Sequence, residues 1–321
     1  MSKYMKKSIL ITCSIVLLLV FLAGIVANIA LEMAVKPKVN LGRDIEGTYR
    51  DLYAEYPELK PWHDSLVDNG LWRDTILVAE DGLKRHGLIL QHDSLATGST
   101  VIVHGYGDNA PFMMRYAYLH FEKLGRNVVI PELYSHGESE GDHIRFGWLD
   151  RLDMTHLWLP LTHELWPDLD IVQHGHSMGG ATTMFTSGED IPDSLRVIAF
   201  IEDAGYNSTW DQLAREMRKI GIPVHPILDI SSLICQWRFG WSIKESDTAP
   251  QLAKCKKPFF FIHGGADDYV PTEMVYINYD AKILGYKELM VVDGAEHVKS
   301  IKVDWEEYVS RIRSFINKAR Q

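Results

Sequence analysis

This sequence predicts an α/β domain built on a mostly parallel sheet with helices on both faces, and three observations carry that prediction. Apolar runs at residues 100–103, 127–131, 171–173, 197–201, 259–262 and 288–292 recur between stretches long enough for a helix. Unbroken apolar strands of this kind belong to parallel sheets covered on both sides. Gly175-His176-Ser177-Met178-Gly179 lies between one such strand and a run of small residues that can open a helix. Residues 72–79 and 84–92 flank Glu80-Asp81-Gly82, a hairpin pattern that supplies an antiparallel edge.

From the N-terminus, residues 8–31 carry no charge, and 9–27 are almost wholly apolar. About 20 such residues cross a bilayer as a helix. The run exceeds a secretory signal core and no clean small-residue cleavage site follows it, so residues 1–35 are expected to be an uncleaved signal anchor, a single transmembrane helix. Lys6 and Lys7 abut the run and place the N-terminus inside, with the following domain outside the cytoplasm. Lys36, Lys38 and Arg43 on the other flank nearly balance that count.

Residues 36–70 form a polar connector broken by Pro37, Pro57 and Pro61, with a short helix at 48–56. Residues 71–321 make the domain. Helices are expected at 111–124, 148–165 and 210–220, and an amphipathic one at 303–319 closes the chain. Residues 206–257 exceed what two neighbouring strands need for their connection, an insertion that in a fold of this kind commonly becomes a small cap. Trp210, Trp237, Phe239 and Trp241 fall within it. An aromatic cap suits an apolar acyl or leaving group, although plain packing explains the tryptophans as well.

Composition narrows the partners. The chain of 321 residues has a net charge of −10 and is long enough for one large core. Beyond residue 40 it holds 28 Lys and Arg against 42 Asp and Glu, a balance that argues against nucleic acid. Of three cysteines, Cys235 and Cys255 could pair in an oxidising compartment, with buried free thiols the alternative. The fourteen histidines show no H-E-x-x-H spacing, and there is no C-x-x-C. No metal and no cofactor are expected.

The chemistry concentrates around Ser177. A serine hydroxyl is a poor nucleophile unless it projects from a sharp turn beside a base. Gly175 and Gly179 suit the crowding such a turn imposes on the flanking strand and helix. In parallel sheets functional groups sit beyond the carboxyl ends of the strands. There, Asp267 follows strand 259–262 and His297 follows strand 288–292, in the order serine, acid, histidine. Rivals for the acid are Asp268 and, beyond strand 197–201, Asp203 beside Glu202. His174 and His176 flank the serine but point elsewhere. His104, His263, His136 and His143 are expected to stabilise loops, and His156 and His163 to lie at a surface or edge.

Five motifs now stand together: His104-Gly105-Tyr106-Gly107, Ser135-His136-Gly137-Glu138-Ser139, the pentapeptide at 175–179, residues 263–271, and Gly294-Ala295-Glu296-His297. Through them, over about residues 72–320, the chain resembles the α/β-hydrolase superfamily. Within it the chain is similar to bacterial membrane-anchored hydrolases of the serine aminopeptidase-like and prolyl-oligopeptidase-like type. The resemblance implies the α/β-hydrolase fold and a Ser177–His297–Asp267 triad. Backbone N–H groups of Met178 and Tyr106 would form the oxyanion hole. A single Gly105 stands where some lipases and esterases have a three-glycine loop.

Fold does not choose among the superfamily's esterases, lipases, peptidases, thioesterases and acyltransferases. The expectation is a serine hydrolase acting on a small ester, amide or peptide through an acyl-enzyme, ester preferred. An aminopeptidase would use Glu202, Asp203 or Glu138 to hold a free amine. The alternative of another class is a non-catalytic binding protein that keeps the fold. Glu202, Asp203, Trp210, Trp237 and Trp241 are the candidate pocket residues.

Overall fold

The computed structural model of the protein describes residues 3–36, 43–92 and 95–321. Helix α1 (Lys3–Val35) is a single uninterrupted helix of 33 residues. It is long and apolar enough to cross a membrane, with a mean hydropathy of 3.0 over its most apolar window. Two helices follow, α2 (Ile45–Glu55) and α3 (Leu59–Asp68). Asp44 caps α2 by accepting from Gly47 N–H at 2.9 Å. Pro61 falls in the first turn of α3, where a missing N–H costs nothing. The stretch between the apolar run and the first strand is therefore largely helical, and Leu52 and Leu59 pack there with Met114. Its residues 37–42 lie outside the described residues.

The strands are β1 (Trp72–Val78), β2 (Lys84–Leu90), β3 (Ser99–Val103), β4 (Asn127–Pro131), β5 (Ile171–His176), β6 (Val197–Asp203), β7 (Phe259–Gly264) and β8 (Lys287–Val292). They form one sheet in the order β1-β2-β4-β3-β5-β6-β7-β8. The first two pairings are antiparallel and the remaining five parallel, so the hairpin supplies the antiparallel edge. From β3 to β7 every strand but β6 is buried along its whole length, as continuous apolar runs require. Ile102, Val172, Ile201, Phe260 and Phe315 meet in one core beneath the terminal helix Trp305–Ala319.

The helix expected at 111–124 is three successive turns of different pitch, Pro111–Met113, Met114–Tyr118 and Leu119–Lys123, the last a π turn. A second π turn, Met154–Trp158, lies inside the helix beginning at Asp150. Cys235 and Cys255 are buried free thiols.

The chain divides into two compact units. One holds α1 with Thr209–Ser246; the other holds the sheet and its helices, including Asp247–Gln321. Within the first unit the helices Thr209–Lys219 and Ile227–Phe239 make up the excursion between β6 and β7, and α1 packs against the second of them. Sequence patterning points to the first of these helices; the broken run Ile222-Pro223-Val224-His225-Pro226 obscures the second.

Candidate active site

The site grows from the end of β5. Register places Gly175 beside Val103 of β3 on one side and Glu202 of β6 on the other. At Ser177 the chain turns abruptly from strand into the helix Met178–Ser187, with φ 51° and ψ −122°. A non-glycine residue there is strained, and such strain is tolerated where the surroundings over-determine it. Those surroundings are visible. A Cβ on Gly175 would lie 2.0 Å from the Gly179 carbonyl oxygen, and one on Gly179 would lie 2.1 Å from that of Val103. Ser177 N–H is held by the Asp203 carbonyl at 2.8 Å. The turn leaves Ser177 8% exposed.

Two loops bring the other groups. Beyond β8, Gly294 at φ 71° turns the chain toward His297. Ser177 Oγ–H donates to His297 Nε2 at 2.9 Å, and His297 Nδ1–H donates to Asp267 Oδ2 at 2.7 Å. Asp267, just beyond β7, accepts at its other oxygen from Tyr269 N–H at 3.0 Å and Val270 N–H at 2.9 Å. Burial alone would raise its pKa, but hydrogen bonds from His263 and His297 hold it at about 2. The carboxylate is thus ionised, fixed by two backbone donors, and aimed at the imidazole. The structure brings Ser177, His297 and Asp267 together.

The loop after β3 carries the other expected donor. Gly107 takes φ 76°. Asp108 bends back, accepting from Gly105 N–H at 3.1 Å and pairing with His176 Nε2 at 2.9 Å. Burial opposes ionisation of Asp108, but the His176 contact lowers its pKa on balance. His104 Nε2 accepts from Leu133 N–H at 3.0 Å, so its Nδ1–H donates to the Gly105 carbonyl at 2.7 Å. This Asp108–His176 clamp, which the sequence analysis missed, fixes the turn that carries Tyr106; a polar residue three beyond Gly105 is too common a signal to reveal it.

Five further histidines have structural partners. His174 shares a hydrogen bond with His120 at 2.9 Å, and burial drives its pKa down to about 3. His263 Nε2–H donates to the Val270 carbonyl at 2.9 Å, and His136 Nδ1–H to that of Tyr134 at 2.9 Å. His143 pairs with Asp142 at 2.7 Å, and exposed His156 with Glu80 at 3.2 Å.

The candidate pocket acids call for correction. Glu202 and Asp203 are 0% exposed. Glu202 Oε2 accepts from Gly205 N–H at 2.8 Å, and burial raises its pKa to about 8. Asp203 Oδ2 accepts from the hydroxyls of Tyr308 at 2.8 Å and Tyr116 at 3.2 Å. Both side chains are committed to the interior because the last two positions of β6 face helices rather than solvent. In the first unit Trp241 is buried and Trp237 is 84% exposed. Trp210 is half-buried, with Lys244 Nζ 4.7 Å from its ring.

A second polar cluster was also missed. Glu132 is buried and accepts from Ala110 N–H at 3.0 Å and Glu138 N–H at 2.6 Å. His86 bridges Glu132 at 2.9 Å, Asp74 at 2.9 Å and Glu138 at 3.3 Å. Burial opposes a charge on His86, but these carboxylates lift its pKa to about 9. A pKa above the unfolded value of about 6.5 contributes stability fully below that pH, lost as pH rises through about 9. The melting-temperature gap between the parent and His86→Gln should therefore be widest near pH ~6 and close above pH ~9. A gap that widens with pH would contradict the ion cluster.

No family model matches the chain. It is 28% identical over 231 residues to the uncharacterized protein YqkD of Bacillus subtilis (strain 168), which covers 71% of this chain and 73% of that protein. Among solved structures, the Pyrococcus furiosus esterase Pf2001 superposes with a TM-score of 0.63 at 23% identity, covering 79% of this chain and 95% of that one. An acylaminoacyl peptidase gives 0.54 at 16% identity, covering 78% of this chain and 41% of that one. The α/β-hydrolase GrgF from Penicillium sp. sh18 gives 0.59 at 17% identity, covering 77% and 98%. These likenesses show the α/β-hydrolase fold.

Proposed function

We propose that the protein is a membrane-anchored serine hydrolase that cleaves small carboxylic esters through an acyl-enzyme. The observation that carries this reading is the relay of Ser177, His297 and Asp267, hydrogen-bonded at 2.9 and 2.7 Å, at a serine held in a strained turn. His297 Nε2 takes the Ser177 proton as Oγ attacks the acyl carbonyl, then delivers it to the leaving alcohol. Water repeats the sequence to release the acid. Asp267 keeps the Nδ1–H tautomer and stabilises the imidazolium. Negative charge on the carbonyl oxygen would be met by Met178 N–H, at the first position of the elbow helix, and by Tyr106 N–H from the clamped loop.

The ester is favoured over the aminopeptide by the burial of Glu202 and Asp203. A free amine needs an accessible acid free to receive it; these two are spent inside the fold, and the third candidate, exposed Glu138, pairs with His86 at 3.3 Å. The similarity to an esterase and to a peptidase is compatible with either bond, and the ester is the easier one to cleave. Helix α1 supplies the anchor, with the hydrolase domain outside the cytoplasm, since Lys6 and Lys7 precede the span. The domains are then the anchor at 1–35, the segment 36–70 and the hydrolase domain at 71–321, with the cap at about 206–257.

The test is active-site labelling of the full-length protein in detergent with a fluorophosphonate. Mass should be added on the peptide containing Ser177, and labelling should be lost in Ser177→Ala. Turnover of p-nitrophenyl esters should exceed that of aminoacyl-nitroanilides. Folded protein that takes up no label at Ser177 overturns the enzyme reading in favour of a binding protein.

A further inference from the structure

The two ends of α1 differ. Residues 4–22 are exposed on every side, while Ala27, Leu31 and Val35, spaced four apart on one face, are buried. Their cover is the cap helix Ile227–Phe239. Ser231 Oγ lies 2.9 Å from the Ala27 carbonyl oxygen, Arg238 Nη1 donates to Asn28 Oδ1 at 3.1 Å, and Arg238 pairs with Glu32.

This contact fixes a height. At 1.5 Å per residue, about 20 residues cross the ~30 Å hydrocarbon layer. Counting from Ile9, just past Lys6 and Lys7, the layer ends near Asn28. Ser231 therefore stands at its boundary, and Arg238 at the level of the headgroups.

The side that the cap helix leaves open carries an apolar stripe, flanked by exposed Gln236. Ile230, Leu233, Ile234 and Trp237 fall at i, i+3, i+4 and i+7 and form one stripe, with Leu233 66% and Trp237 84% exposed. The opposite side, with Leu228, Ser232 and Cys235, is buried. Tryptophan with an adjacent arginine is the composition favoured where hydrocarbon meets water. Charge agrees. On the cap's side of the span, residues 28–38 with 209–246 hold seven Lys and Arg against five Asp and Glu, whereas residues 39–208 with 247–321 hold 23 against 38. Anionic headgroups attract the first set and repel the second.

We infer that the cap helix Ile227–Phe239 lies in the membrane interface beside α1, with its Ile230, Leu233, Ile234 and Trp237 face immersed among the headgroups and upper acyl chains of an anionic phospholipid bilayer. The cap is then a second membrane contact rather than a lid free in solvent. This rests on the proposal that α1 spans the bilayer.

The test uses the full-length protein in nanodiscs of phosphatidylcholine and phosphatidylglycerol, with plain or dibrominated acyl chains. Trp237 is read as the difference between the parent and Trp237→Phe. The difference spectrum should be blue-shifted, lost in the brominated discs, and protected from iodide in the water. A red-shifted difference spectrum that iodide quenches and bromine does not would overturn the inference while leaving the anchor standing. Protection from both quenchers in discs carrying two copies would assign the face to a second copy and also overturn it. Extraction of the chain from vesicles by alkaline carbonate would remove the anchor and the inference together.

Discussion

Asp267→Asn is expected to lower kcat for p-nitrophenyl esters by about 10⁴-fold, the scale of a triad whose histidine is forced into the wrong tautomer. The geometry dictates the direction. One oxygen of Asp267 accepts from Tyr269 and Val270 N–H, so an asparagine keeps its carbonyl on those donors and turns its NH₂ toward His297. Nδ1 must then accept, Nε2 carries the proton, and Nε2 can no longer take the hydrogen of Ser177. His297→Ala removes the base itself and is expected to be at least as severe. Asp203→Asn is the contrast. It touches Tyr116 and Tyr308 but not His297, so it should leave kcat within a few-fold and lower the melting temperature instead. Steady-state rates alongside thermal melts separate the two carboxylates. The reverse pattern would move the acid to β6.

Why the triad was legible and the pocket was not follows from the same sheet. Ser177, Asp267 and His297 each sit just past an unbroken apolar strand, and parallel strands deliver their carboxyl ends to one rim. Chain position alone therefore gathers residues 90 and 30 apart in sequence. Glu202 and Asp203 also end a strand, and there the rule misleads. They are the last residues of β6 rather than part of the loop beyond it, so alternation sends their side chains into the flanking layers. Whether a strand-end acid belongs to the rim or the interior depends on one residue of register, which strand patterning does not resolve.

The contacts of α1 with the cap helix were hidden for a different reason. An apolar run announces burial in something, lipid or protein, and hydropathy cannot separate the two. Only the spacing of Ala27, Leu31 and Val35 against exposed Ile29 and Met33 marks the protein-facing side, and that reading requires the partner to be known. A cut after residue 35 would strip this face from the cap, whereas a cut near residue 22 would leave it covered.

Gly179→Ala is the substitution expected to damage the fold most per atom added. The new Cβ would meet two backbone oxygens of the β3 end, Val103 at 2.1 Å and His104 at 2.6 Å. Neither can swing aside as a side chain would; β3 or the elbow helix must move. Overpacking typically costs about 1–3 kcal/mol, and a clash with fixed backbone belongs at or beyond the top of that range. At about 2–4 °C per kcal/mol for a domain of this size, the melting temperature should fall by roughly 10 °C. Activity should fall with it, because the displaced strand end leads straight into the loop that carries Tyr106. Gly82→Ala provides the control. Gly82 has φ +78° with nothing within 4 Å, so its alanine meets only the left-handed backbone penalty of about 1–2 kcal/mol and leaves the rate untouched. If Gly179→Ala melts within a few degrees of the parent and turns over normally, the close approach of elbow and β3 is not what holds the nucleophile in place.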